Sequence, residues 1–145
     1  MLNTALGEFL EQTSATAALL IDKGGFLIAH QGEPGEVDFT TLGALASGSF
    51  MASQTIAGLA GEKNFNSTYQ QGEKTSLLVV DVDEHCLLVT LFKSQGGVGL
   101  VKYYSGNCTS RIARQLAAAQ ERDPGNGLDL SVMNLADPAE LFRKK

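Results

Sequence analysis

Between Asp38 and Glu62 the chain runs for 23 residues without a charge, and 15 of these are Gly, Ala, Ser or Thr. Asp38 is placed to cap a helix, Thr40 and Thr41 follow in its first turn, and Gly61 is a natural stop, so one long helix is expected here. Leu42, Leu45, Ser49, Ala52, Ile56 and Leu59 recur at i, i+3 and i+4 spacing and are expected to form its inward face. The opposite stripe then carries Ala44, Ser47, Gly48, Met51, Thr55 and Gly58. A neutral outward face of small side chains lacks the Lys and Glu of a water-facing helix, and it lets a second backbone approach closely. A protein partner on this stripe is therefore expected. A membrane span fits less well, because Ser, Thr and Gln54 are frequent and no basic cluster flanks the segment. A helix buried wholly within its own domain is the plainer competing explanation.

The 145 residues suit one domain and a tail. A net charge of −5 excludes nucleic acid as a main partner, since phosphate binding needs a basic surface. Met1 leads into an amphipathic segment, without the basic start and apolar block of a signal peptide. Cys86 and Cys108 match no metal-ligand spacing and suit packed thiols in a reducing compartment. A cytoplasmic protein is expected, with no membrane insertion, cofactor or metal.

Leu2, Ala5, Leu6, Phe9, Leu10 and Thr13 mark one face of a first helix ending near Ser14. The runs ATAALLID and FLIAH around Lys23-Gly24-Gly25 predict a hairpin. After the long helix, Phe65 to Gln70 is a weak polar strand, and TSLLVVDV and HCLLVTLF are core strands joined at Asp83-Glu84. Lys93 to Gly99 is a glycine-rich break. Val101, Tyr104, Cys108, Ile112, Leu116 and Ala119 then keep helical spacing to about Arg122. The order is helix, two strands, helix, three strands, helix: an α+β sandwich with an antiparallel five-stranded sheet. Residues 1–122 are expected to be the domain. Residues 123–145 are expected to be a linker and tail, in which Asp137-Pro138-Ala139-Glu140 carries the signals of a short helix ending in Leu141-Phe142. The polar strand after the long helix makes an unprotected sheet edge, which a symmetric dimer would cover.

No catalytic set stands out. Gly96-Gly97-Val98-Gly99 precedes a helix but matches neither dinucleotide nor P-loop spacing, and Gly72-Glu73-Lys74-Thr75 lacks the upstream glycine of a P-loop. Structural turns account for both. His30 and His85 lie at strand ends with no nucleophile at a motif spacing. Asp81, Asp83 and Glu84 are explained by a strand end and its turn, without a calcium loop.

The element order, the hairpin LLIDKGGFLIAHQG, DFTTLGALASG opening the long helix, GEKNF after it and GLVKYY entering the last helix together resemble the roadblock (dynein light chain) family. Within that family the pattern is most similar to the bacterial MglB type, partners of the Ras-like GTPase MglA. The resemblance covers about residues 1 to 122. It implies a homodimer with a shared sheet and paired central helices, and a cytoplasmic role in cell polarity. It also implies binding to the GTP-bound form of a small GTPase and stimulation of its hydrolysis without a donated catalytic residue, so the chain would be a regulator and not an enzyme. The stripe implied to meet the GTPase falls on Ala44, Gly48, Met51 and Thr55, with Ser47 beside them, and Leu141 and Phe142 would be a further tail contact. A scaffold subunit of a roadblock-containing complex and a small-molecule sensor remain as alternatives.

Overall fold

The computed structural model describes residues 2–33 and 35–122. Helix α1 (Leu2–Thr13) leads into strands β1 (Ala17–Asp22) and β2 (Leu27–Gly32), then helix α2 (Phe39–Leu59). Strands β3 (Ser67–Gln70), β4 (Thr75–Asp81) and β5 (Cys86–Lys93) follow, and a 3-10 turn at Ser94–Gly96 precedes helix α3 (Gly99–Arg122). The expected α+β sequence of elements is therefore the observed one. The strands form a single antiparallel sheet in the order β2-β1-β5-β4-β3. Strand β3 is four residues long and begins at Ser67, later than the expected Phe65, whose ring instead packs on Phe50 with centroids 5.1 Å apart.

Alternation along the strands divides the core into two layers. On one face Leu20, Leu78, Leu88 and Phe92 meet α1 and α3 through Leu2, Leu6, Phe9, Cys108, Ile112 and Leu116. The buried stripe of α1 is the expected one. On the other face Leu19, Ile21, Val79, Leu87 and Val89 meet α2 alone. One helix on this side leaves half of its own circumference uncovered.

Local chemistry fixes both ends of α2. Asp38 Oδ1 accepts from the Thr40 amide at 3.3 Å, and Oδ2 accepts from the Thr41 hydroxyl at 2.6 Å. At the far end Glu62 N donates to Ala57 O at 2.9 Å and Gly61 N to Gly58 O at 3.1 Å. With Gly61 at φ +85°, this is a Schellman cap, a conformation that glycine adopts without strain.

The orientation of α2 corrects the sequence reading. Its buried residues are Phe39, Gly43, Ala46, Ser47 and Phe50. Leu42 is half-buried, but Leu45, Ser49, Ala52, Ile56 and Leu59, expected to face inward, are exposed. Ser47, expected on the outward stripe, is buried, and its hydroxyl donates to the Lys23 carbonyl at 2.6 Å. The physical reason is volume: two phenylalanines three turns apart fill the space over the sheet. Gly43 lets the helix sit close, since a Cβ there would come within 3.1 Å of Ile21 Cγ2. The linker and tail, including Leu141 and Phe142, lie outside the described residues.

Candidate partner-binding surface

The exposed half of α2 is a continuous surface without a charge. One side carries Ala44, Gly48, Met51 and Thr55, all exposed, at successive spacings of three and four. The Thr55 hydroxyl donates to the Met51 carbonyl at 3.0 Å, so it asks nothing of a partner. The other side carries Leu45, Ile56 and Leu59, exposed by 67%, 65% and 86%. Three large aliphatics this open along one helix form a patch, whereas scattered surface leucines need no explanation. The structure thus leaves five of the six residues expected on the outward stripe exposed, Gly58 among them, and removes Ser47 from it. Sequence periodicity assigns Leu45, Ile56 and Leu59 to the core; the signal that moves them outward is the pair Phe39 and Phe50.

Strand β3 supplies a second open feature. Among the described residues it pairs only with β4, from Ser67↔Val80 to Gln70↔Leu77, so within them its other edge has no strand beside it. Tyr69 on this strand is exposed on one side and stacks on Phe92 with centroids 6.1 Å apart.

The residues that invite catalytic readings are occupied otherwise. Burial pushes the Cys86 thiol up to about 12, with Asp83 and Asp22 adding to the shift, and burial does the same to Cys108. Neither thiol is a nucleophile at neutral pH. His30 is exposed and lies over Phe39 at a centroid distance of 4.8 Å, and His85 is exposed in its turn. Asp81 pairs with Lys23 at 2.9 Å, and Asp83 Oδ1 accepts from the amides of His85 and Cys86, which holds the β4–β5 turn. Among the described residues no three His, Cys, Asp or Glu side chains gather as metal ligands.

An open cavity of about 650 Å³ is lined by Gln71, Gly72, Lys74, Thr75, Lys93 and Ser94. At its Gly72 and Ser94 wall a ring of bonds is closed: Gly72 N donates to Ser76 Oγ at 3.2 Å, Ser76 and Ser94 share a 2.7 Å bond, and Ser94 Oγ donates to Gly72 O at 2.7 Å. This ring holds two loops together. No helix among the described residues is long and apolar enough to cross a membrane.

Comparison with known proteins agrees with this architecture. The profile described as Roadblock/LC7 domain matches residues 1–92. The solved structure of gliding protein MglB from Thermus thermophilus is 36% identical, with a TM-score of 0.73 over 78% of this chain and 86% of that one. Myxococcus xanthus MglB is 26% identical, with a TM-score of 0.76 over 81% of this chain and 95% of that one. An uncharacterized protein of Methanocaldococcus jannaschii is 31% identical over 77% of this chain and 96% of its own length.

Proposed function

The chain belongs to the Roadblock/LC7 domain family, and from that premise we propose that it is a homodimeric regulator of a Ras-like small GTPase of the MglA type. It binds the GTP-bound form and stimulates hydrolysis. The observation that carries this reading is the uncharged, exposed half of α2, a built surface with no partner within its own chain among the described residues. In this assignment Ala44, Gly48, Met51 and Thr55 meet the GTPase. The β3 edge and the Leu45, Ile56 and Leu59 side join two copies, extending the sheet and pairing the central helices. Residues 1–122 act as the regulatory domain, and Leu141 and Phe142 in the tail add a second contact.

A face without an arginine cannot insert one beside a phosphate. Phosphoryl transfer, however, depends mostly on positioning and charge stabilisation, so a surface that holds the GTPase's own switch residues in place accelerates hydrolysis. The small side chains bring the α2 backbone close to that partner. The chain itself is no enzyme in this mechanism.

The test uses purified Ras-like GTPases from the same organism, loaded with a non-hydrolysable GTP analogue or with GDP. The immobilised chain retains one of them only in the GTP form, and its addition speeds phosphate release. Light scattering of the free chain gives about twice 15.3 kDa. Retention of neither nucleotide form, with the dimer intact, would favour the scaffold reading.

A further inference from the structure

We propose that the chain's own tail docks along the outer stripe of α3, with Asp129 on Arg114 and Leu135 on Tyr103 and Leu100. This goes beyond the function proposed above and does not depend on a GTPase.

Leu100, Tyr103, Asn107, Arg111, Arg114 and Ala118 recur at spacings of three and four, so they share one side of α3. Val101, Cys108, Ile112 and Leu116 hold the other side in the core. The outer stripe is graded along its length. Its N-terminal end is apolar, with Leu100 49% and Tyr103 76% exposed, whereas Arg111 and Arg114 make its middle basic. A shallow cavity of about 240 Å³ opens there, lined by Arg111, Arg114, Gln115 and Ala118. Arg111 is bonded to Glu8, but among the described residues Arg114 has no carboxylate partner.

Chain direction, length and charge select the tail as the occupant. The described chain ends at Arg122, one helical turn past Ala118, so the segment that follows starts at this stripe. Asp123-Pro124-Gly125-Asn126-Gly127 is dense in turn formers, which suits a reversal of the chain back along α3. From Ala118 to Leu100 the helix rises roughly 27 Å at ~1.5 Å per residue, a span that roughly eight extended residues cover at ~3.3 Å each. Laid antiparallel to α3 from Leu128, residues 128–136 therefore match the stripe from end to end. Asp129 then comes level with Arg114, and Leu135 with Tyr103. Asp129 is also the sole charged residue from 124 to 136, so the one carboxylate of the segment meets the guanidinium that lacks a described partner. Beyond Leu135, residues 137–142 leave the stripe at the N-terminal end of α3.

The test places a nitroxide on Ser131→Cys in the full-length, isotope-labelled chain and reads backbone amide signals by NMR. Both native thiols are buried and do not take the label. The inference expects the nitroxide to bleach the amides from Asn107 to Ala118. Arg114→Glu abolishes this bleaching at unchanged mass and melting temperature, and adding Asp129→Arg restores it. Bleaching of Leu27 to Gly32 at the outer edge of β2 instead, or of no described residue, would overturn the docking. Bleaching that survives Arg114→Glu would overturn it too. Equal bleaching of an isotope-labelled chain without nitroxide, when mixed with unlabelled nitroxide-bearing chains, would assign the stripe to the tail of a second copy and overturn docking within one chain.

Discussion

Ser47 Oγ stands 2.6 Å from the Lys23 carbonyl oxygen, so a buried hydroxyl of the central helix is bonded to a turn 24 residues earlier in the chain. The bond satisfies two polar groups at once and sets the height of α2 over the hairpin.

Ser47→Ala leaves the Lys23 carbonyl without this donor. The expected cost is about 1–2 kcal/mol, which lowers the melting temperature by roughly 3–8 °C for a domain of this size. The fold is retained. Calorimetry checks this, and an unchanged melting temperature would show that water replaces the hydroxyl freely.

Two glycines of the same helix respond oppositely to alanine. At Gly48 a new Cβ meets nothing within 4 Å, so Gly48→Ala removes a poor helix former and stabilises by about 0.5–1 kcal/mol. At Gly43 the Cβ stands 3.1 Å from Ile21 Cγ2 and 3.3 Å from the Gly25 carbonyl, so Gly43→Ala forces α2 outward and destabilises by about 1–3 kcal/mol. Urea titrations of the two variants give midpoints on either side of the wild type.

Much of this architecture is readable from the chain alone, and where it is not the reason is physical. The runs AALLID, TSLLVVD and CLLVTLFK announce strands by their density of Leu and Val, and the stripe of α1 has a single apolar face. In α2, by contrast, apolar and small residues occur all round, so helical periodicity has no single answer and side-chain volume decides. Ser47 reads as a surface residue because its partner is 24 residues away, beyond any local pattern. The exposure of Ala44, Gly48, Met51 and Thr55 follows the expected stripe.

The two sides of the exposed α2 face separate by mutation. In the proposed function, Gly48→Arg with Thr55→Arg places long charged side chains where a partner backbone would approach, and an unpaired buried charge there costs several kcal/mol; even ~2.8 kcal/mol weakens binding about a hundredfold. Both positions are open in the free chain, so stability changes by no more than ~0.5 kcal/mol. The variant is folded and dimeric but does not stimulate the GTPase, whereas Ile56→Glu shifts the mass toward the monomer. Light scattering and phosphate release are the readouts, and a monomeric Arg variant would exchange the two assignments.

The N-terminal cap of α2 carries a pH dependence. The Thr41 hydroxyl, and then the Thr40 amide, hold the Asp38 carboxyl below its ordinary 3.8. A carboxylate depressed in the folded state adds stability that is fully present above its unfolded value and is lost as pH falls through the folded one. The wild type therefore exceeds Asp38→Ala in stability at neutral pH, and the gap narrows only below about pH 4. Thr41→Val removes the leading cause and moves the Asp38 titration, followed by carboxyl-carbon NMR, back toward 3.8.

The central position of β5 governs the order of assembly. This strand, buried along almost its whole length, sits between β1 and β4, with Ala17 paired to Leu91 and Thr75 to Lys93. The hairpin of β1 and β2 can close as soon as it is made, but its inner edge has no partner until residues 86–93 exist. On the ribosome the first two strands and α2 thus wait, with apolar surface open, for more than half of the domain to be synthesised. Joining strands so distant in sequence also carries the loop-closure entropy that slows folding. A chain stopped before Cys86 holds an unfilled slot in the middle of its sheet and is a substrate for chaperones and proteases, not a smaller version of the domain.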